Sequence, residues 1–141
     1  MKAVAINGSP RKNGNTAYML NTVLEGLKAE GIEGKLIQVG GVNIHGCRAC
    51  WACKKMQNGK CVCDDDIFNE IIGDVLDADV IILGTPSYYS DMTPELKAFI
   101  DRCGLVGSAI GALKRKIGAG IVAQRRGGGV AIQSTLHHMF L

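Results

Sequence analysis

The sequence is poor in aromatic residues and has no long apolar run. Of its 141 residues only three are Phe, three Tyr and one Trp, and the basic run Lys114-Arg115-Lys116 contains no aromatic residue. A nucleic-acid groove usually combines positive charge with aromatic stacking platforms, so no nucleic-acid partner is expected. The N-terminal residues contain a four-residue apolar run, too short for a secretory signal or a membrane span. We therefore expect a cytoplasmic protein that does not bind a membrane.

Two common nucleotide-binding motifs are also absent. The segment 8–16 lacks the Gly-Lys-Ser/Thr ending of a Walker loop, and it does not contain Gly-x-Gly-x-x-Gly. The second predicted strand ends in Gln38-Val39-Gly40, without the acidic residue that binds an adenosine ribose. These absences favour a terminal phosphate, as in a mononucleotide, over the pyrophosphate of a dinucleotide.

The apolar pattern alternates between strands and helices along the chain. It predicts strands at residues 2–6, 35–39, 80–83 and 117–123, and helices at 16–30, 65–76, 94–103 and from 130 onwards. Buried strands that alternate with helices predict an α/β fold, a doubly wound parallel sheet in a single domain, residues 1–141. The flavodoxin-like form of this sheet has five strands in the order 2-1-3-4-5. Because four strands are visible, the last strand and helix are expected to be missing from this chain.

Ligands bind such a sheet beyond the carboxyl ends of its strands, which here means three loops. The first, residues 8–16, offers backbone amides, hydroxyl groups and Arg11 to a phosphate dianion. The second, residues 85–92, offers Tyr88 and Tyr89 to a planar heterocycle, although ordinary packing explains these tyrosines equally well. The third, residues 124–129, has three consecutive glycines that let the backbone approach a ligand; a plain glycine-rich turn is the alternative.

Together these loops resemble those of the flavodoxin-like NAD(P)H-dependent FMN reductases and iron-sulfur flavoproteins. The matching segments are Gly8-Ser9-Pro10-Arg11 with Asn15-Thr16, Thr85-Pro86-Ser87-Tyr88 with residues 96–102, and residues 124–129. The resemblance implies that the first loop holds the phosphate of FMN and that the other two line the flavin ring. The residues it assigns to FMN are Ser9, Arg11, Asn13, Asn15, Thr16, Thr85, Pro86, Ser87, Tyr88, Tyr89, Gln124, Arg125, Gly127 and Gly128.

Five of the six cysteines lie within 17 residues, in the cysteine-rich loop 47–63. Clustered thiols indicate metal or redox chemistry, whereas a disulfide framework would spread its cysteines along the chain. The spacing lets one turn of backbone direct three thiolates to one centre, as in ferredoxin-like iron-sulfur sites. Structural zinc more often uses two separated Cys-x2-Cys pairs, so the spacing favours iron-sulfur over zinc. The pattern is Cys47-x2-Cys50-x2-Cys53-x7-Cys61-x-Cys63.

The resemblance implies a 4Fe-4S cluster at this loop, at the same sheet edge as the flavin. Cys63 could replace Cys61 as a ligand, and the sequence does not choose between them. Cys103 lies on the apolar face of a predicted helix and is expected in the core. The ligands implied by the resemblance are Cys47, Cys50, Cys53 and Cys61.

The leading hypothesis is a flavin-dependent oxidoreductase of the iron-sulfur flavoprotein type. A one-electron donor such as ferredoxin would pass electrons through the cluster to FMN and on to a small acceptor. The cofactors would perform the chemistry, so no side chain is assigned as catalytic. The resemblance also implies a homodimer or homotetramer, in which one subunit's cluster can lie near its partner's flavin. The alternatives are a cluster-free NAD(P)H-dependent FMN or quinone reductase and a zinc-binding interaction module without enzymatic activity.

Overall fold

Four parallel strands form one sheet with helices on both faces. The computed structural model describes residues 1–141. The strands lie in the order β2-β1-β3-β4, which confirms the flavodoxin-like topology expected from the sequence. The fifth strand of that topology has no counterpart within residues 1–141. The elements are β1 (Lys2–Asn7), α1 (Asn15–Ala29), β2 (Glu33–Gln38), α2 (Ala52–Met56), α3 (Phe68–Asp77), β3 (Val80–Pro86), α4 (Pro94–Ile110), β4 (Ile117–Ala123) and α5 (Gly129–Phe140).

The central strand β1 contributes side chains to two separate cores. Val4 and Ile6 belong to a core of 19 buried residues that also includes residues of α3, α4 and α5. Ala3 and Ala5 belong to a smaller core on the opposite face, to which α1 contributes Leu20. Successive residues of a strand point to opposite faces, so one strand can serve both cores. None of the helices that cover these faces is both long and apolar enough to cross a membrane.

Two elements continue beyond their predicted ends. β3 runs through Gly84 to Pro86, and all seven of its residues are buried. α4 runs past Cys103 to Ile110 despite the glycines in its second half. The Leu113 side chain packs directly against Gly107. A Cβ at this position would lie 2.5 Å from it, so only glycine leaves room for this contact. Gly107 therefore serves packing rather than helix termination, whereas a Cβ at Gly104 would meet nothing within 4 Å.

The segment between β2 and α3 departs most from the prediction. The sequence pattern does not predict the short helix α2, which lies within the cysteine-rich loop. α3 begins at Phe68, three residues later than predicted, because the Asp66 carboxylate precedes the helix and accepts a hydrogen bond from the Phe68 amide at 3.0 Å. This arrangement leaves Asp66 available to a second partner, described below.

Candidate functional site

Side-chain amides fix the loop between β1 and α1 at the carboxyl edge of the sheet. The Ser9 amide donates to Asn7 Oδ1 at 3.1 Å, and the Arg11 amide donates to Ser9 Oγ at 3.2 Å. Gln38 Nε2 donates to the carbonyl oxygens of Ser9 and Gly40, both at 2.6 Å. Asn7 Nδ2 completes the network by donating to Gln38 Oε1 at 2.7 Å. Groups on two neighbouring strands thus set the course of this loop.

The start of α1 presents uncapped backbone amides to this loop. The N-cap residue is Gly14, no side chain caps the helix, and its first turn contains no acidic residue. The first N–H groups of a helix have no intrahelical acceptor and carry the positive end of the helix dipole. Arg11 lies exposed nearby, and Thr16 is buried in the first turn. This combination is suited to binding a phosphate group.

An open cleft of about 640 Å³ lies where the three loops meet. The sequence did not indicate that α1 contributes to it through Tyr18, whose side chain is 74% exposed, and Met19. Their place among the first five residues of α1, directly after the phosphate-type loop, is the signal that points to them. Nine of the fourteen residues assigned to FMN line the cleft: Ser9, Arg11, Asn15, Thr16, Pro86, Ser87, Tyr88, Gln124 and Arg125.

Two of the remaining assigned residues lie away from this cleft for different reasons. Thr85 is completely buried beneath the second loop. Its Oγ1 donates to the Pro86 carbonyl oxygen at 3.0 Å and accepts from the Thr93 amide at 3.2 Å, so its hydroxyl supports the loop from below. Asn13 is exposed and does not line the cleft.

The last three assigned residues belong to the junction between the second and third loops. Tyr89 and Gly127 line a neighbouring groove of about 490 Å³ rather than the cleft. Ser87 Oγ donates to the Gly127 carbonyl oxygen at 2.7 Å, which ties the two loops together. Gly128 precedes α5 with φ of 93°, and a Cβ there would lie 2.5 Å from Ser87 Oγ. Glycine is therefore required at this position for both its conformation and its size.

All five clustered cysteines line one apolar cavity on the outside of α4. Cys47 and Cys50 are exposed, and the other three are partly buried. The free volume is about 20 Å³. One water molecule needs about 10–15 Å³ of such space, so the cavity has room for about one water and not for a cluster. A bound cluster therefore requires the exposed side of the loop to move outward.

The spread of the five sulfur atoms helps to decide which group they fit. Zinc–sulfur bonds of about 2.3 Å place tetrahedral ligands about 3.8 Å from one another. No three of these sulfurs lie within 4.8 Å of one another, so they are spread more widely than one zinc ion requires. Thiolates are also the usual ligands of iron-sulfur clusters. By its chemistry the donor set fits an iron-sulfur cluster, and no three of these sulfurs are placed as the ligands of one zinc ion.

A buried ion pair closes the inner side of this cavity. Arg102 of α4 pairs with the Asp66 carboxylate, and the two side chains are 1% and 0% exposed. The guanidinium also donates to the carbonyl oxygens of Cys63 at 2.8 Å and His45 at 3.3 Å. Its central carbon lies 4.2 Å from the centroid of the Phe68 ring. Arg102 therefore holds both ends of the cysteine-rich loop against α4.

Hydrogen bonds outweigh burial in setting the charge of both partners. Burial alone would raise the pKa of Asp66, but donation from the His45 amide and from Arg102 lowers it below its usual value. Burial alone would lower the pKa of Arg102, but the hydrogen bond to Asp66 and the nearby Cys61 thiol raise it. Both side chains are therefore charged at neutral pH. Burial, followed by the proximity of Cys61, raises the pKa of Cys63.

The cysteine cavity does not lie at the carboxyl edge of the sheet, so the expectation of a shared edge is wrong. α4 begins at Pro94 near that edge, whereas the cavity packs on Arg102 at its middle and on Leu105 and Val106 beyond it. A rise of 1.5 Å per residue puts these side chains roughly 12–18 Å along the helix. The loop is drawn there because Arg102 binds both of its ends. The cavity and the cleft share no lining residue.

Comparison with known proteins assigns the family. The sequence pattern of the family described as NADPH-dependent FMN reductase matches residues 1–141. The chain belongs to this FMN reductase family. An iron-sulfur flavoprotein of Methanocaldococcus jannaschii is 34% identical over 143 residues, which span 100% of this chain and 72% of that protein. An iron-sulfur flavoprotein of Archaeoglobus fulgidus is 39% identical over 122 residues, 86% of this chain and 54% of that protein.

The fold of this FMN reductase family member also matches solved flavodoxin-like structures. A WrbA-like flavodoxin of Agrobacterium tumefaciens superposes with a TM-score of 0.67 at 17% identity, over 98% of this chain and 70% of that one. Likeness at this identity concerns the fold alone. The chain spans between about half and three-quarters of the length of the two curated relatives. The resemblance to FMN reductases and iron-sulfur flavoproteins, a group of flavin-dependent oxidoreductases, is therefore confirmed.

Cys103 is the one cysteine outside the cysteine-rich loop. It lies in the core as expected, and its thiol is predicted to be unreactive towards alkylating reagents. It is fully buried, and burial raises the pKa of its thiol to about 12. Alkylation requires an accessible thiolate, so iodoacetamide should modify Cys47 and Cys50 in native metal-free protein about 100 times faster than Cys103. Peptide mass spectrometry after timed quenching measures the rates, and urea should remove the difference. Equal rates in the native protein would contradict the core position of Cys103.

Proposed function

We propose that this chain binds FMN in the cleft and a 4Fe-4S cluster at the cysteine cavity, as part of an oxidoreductase that carries electrons to a small acceptor. One observation carries the proposal: in a member of the FMN reductase family, five thiols surround a single cavity. The relatives support it, because the whole chain aligns with a protein named an iron-sulfur flavoprotein. Reduced, clustered thiols also suit the cytoplasm.

The cleft would bind FMN mainly through the phosphate group. The uncapped amides of α1 and the guanidinium of Arg11 supply charge-assisted hydrogen bonds to a dianion. Tyr88 and Gln124 line the wall formed by the second and third loops and would flank the flavin ring. When bound, FMN supplies redox chemistry in steps of one or two electrons. The side chains of the cleft bind and orient it and need not transfer protons themselves.

Four thiols would hold the cluster, and the structure favours Cys61 over Cys63 as the fourth. Cys61 packs against the larger core, as Cys53 does. The Cys61 amide donates to Asn69 Oδ1 at 2.9 Å, and its carbonyl oxygen accepts from Asn69 Nδ2 at 2.8 Å. Cys63 is held only through its carbonyl oxygen, by Arg102 at 2.8 Å and Asn69 at 3.4 Å, whereas Cys61 is held through both its amide and its carbonyl oxygen. The better-ordered backbone loses less conformational entropy when its side chain binds a ligand. The proposed ligands are therefore Cys47, Cys50, Cys53 and Cys61.

The separation of the cavity from the cleft, which has no α4 residue in its lining, favours electron transfer between subunits. The two sites share no residue within one chain. A homodimer or homotetramer that places the cluster of one subunit beside the flavin of its partner would shorten the path. A one-electron donor such as ferredoxin fits the cluster, and a small acceptor fits the open cleft.

A second function is favoured by the family description itself. A cluster-free member would take electrons from NAD(P)H and pass them to FMN or a quinone, with the cysteines serving structure or redox protection. The identity of the electron donor distinguishes the two functions. Rapid bleaching of the flavin by NADPH alone supports the cluster-free reductase, whereas bleaching that depends on reduced ferredoxin supports the iron-sulfur flavoprotein.

The decisive test is the cofactor content of anaerobically purified protein. We expect about four iron, four acid-labile sulfide and one FMN per chain, with an EPR signal that appears on reduction. Iron and sulfide assays, flavin absorbance and metal analysis on one preparation give the ratio. Flavin without iron or sulfide would select the cluster-free reductase. Zinc without flavin would select the zinc-binding interaction module.

A further inference from the structure

Arg102 is an unusual residue for the position that it occupies. It is one of the largest fully buried side chains of the protein, and it lines the same cavity as the five cysteines. Burying a guanidinium is costly unless charge and hydrogen bonds compensate. Its donors reach the Asp66 carboxylate and the carbonyl oxygens of His45 and Cys63, but its Nε is buried without a hydrogen-bond partner. One N–H group of this cavity-lining residue is therefore without a hydrogen-bond partner.

The Asp66 carboxylate, which pairs with Arg102, also accepts hydrogen bonds from two backbone amides. Asp66 Oδ2 also accepts from the His45 amide at 2.7 Å, and Oδ1 accepts from the Phe68 amide at 3.0 Å. Asp66 does not line the cavity, whereas Arg102 does. The positive charge of Arg102 therefore lies closer to the thiols of the cavity than the negative charge of Asp66 does. Arg48 also lines the cavity, but its side chain is 64% exposed, so water and salt screen it.

We propose that Arg102 is a positioning residue that holds both ends of the cysteine-rich loop and places a fixed positive charge beside the cluster, which raises the cluster's reduction potential. The reason is electrostatic: reduction adds one negative charge, and a nearby buried cation stabilises the more negative state. Net charge and hydrogen bonds to sulfur are known determinants of cluster potentials. This inference rests on the proposed function, because it requires that the cysteines hold a cluster.

Two variants of the same ion pair test this inference by the sign of their effects. Arg102→Gln removes the positive charge, so the ratio of reduced to oxidised cluster at a fixed potential should fall about tenfold, or about 59 mV for one electron. Asp66→Asn removes the negative charge, so this ratio should rise, by a smaller factor because Asp66 lies behind Arg102 and does not line the cavity. Both variants lose the same buried ion pair, so each serves as the control for the structural effect of the other. Anaerobic redox titration followed by EPR measures the midpoint potentials.

A purely structural role of Arg102 predicts a different pattern. Both variants would then shift the potential in the same direction, or by less than about threefold, and either result would overturn the inference. Arg102→Lys keeps the charge and should stay within threefold of the parent. If Arg102→Gln binds no cluster, Asp66→Asn decides alone: a rise supports the inference, and no rise overturns it. Parent protein that holds flavin but no iron refutes the proposed function and this inference together, whereas iron with same-sign shifts refutes only the inference.

Discussion

We expect the Cys61→Ser protein to lose essentially all of its iron and acid-labile sulfide, and the Cys63→Ser protein to keep both. The two thiols are two residues apart and line the same cavity, so they form a closely matched pair. Cys61 packs against the core, and Asn69 binds its backbone on both sides. Serine is a poor substitute for the soft thiolate that iron-sulfur clusters require. Iron should fall more than about tenfold in one variant only.

The control for this pair is Cys103→Ser, which removes a thiol from the core and not from the cavity. It should lower the free energy of unfolding, because it buries a hydroxyl, without lowering iron per folded chain. Iron and sulfide assays on all three variants, purified without oxygen, measure the outcome. Loss of the cluster in Cys63→Ser alone would reverse the assignment. Retention in both cavity variants would show that either thiol can serve as the fourth ligand.

Much of the sheet could be predicted because its signals are local. The apolar runs of β1 and β3, such as Val80 to Leu83, are buried on both faces wherever the chain places them, and strand–helix alternation then restricts the topology. The sequence predicts the phosphate-type loop for the same reason: Gly14 and the residues around it lie within one short segment. Nine residues that line the cleft can be predicted from that segment and from the two loops that follow β3 and β4.

The features that could not be predicted depend on partners distant in sequence. Arg102 pairs with Asp66 across 36 residues, and no periodicity reveals that contact. One signal existed: Arg102 lies one turn from Phe99 and from Val106, on the buried face of α4, where a charge implies a buried partner. That pair draws the cysteine-rich loop along the helix, so the predicted position of the cavity is wrong, although the spacing of the cysteines alone identifies them.

Gly40 is predicted to be essential for FMN binding, although it does not line the cleft. Its amide donates to the Asn7 carbonyl oxygen at 3.0 Å, next to the loop that follows β1. In Gly40→Ala, the new Cβ would lie 2.3 Å from Gly8 O and from the backbone carbon of Ser9. Backbone atoms held by the Gln38 network cannot rotate away as a side chain can, so the loop must shift. Overpacking costs about 1–3 kcal/mol, and we expect about hundredfold weaker FMN binding, measured by quenching of flavin fluorescence.

Two other glycine-to-alanine changes separate loop distortion from general instability. Gly118→Ala places a Cβ 2.2 Å from the Phe140 ring, at the start of β4 and away from the loops, so it should destabilise the fold but leave FMN affinity within about threefold. Gly26→Ala meets open space inside α1 and should raise the free energy of unfolding by about 0.5–1 kcal/mol. Equal losses of FMN affinity in Gly40→Ala and Gly118→Ala would point to instability. Unchanged affinity in Gly40→Ala would mean that the loop after β1 does not hold the phosphate, because a backbone contact of 2.3 Å cannot persist without moving that loop.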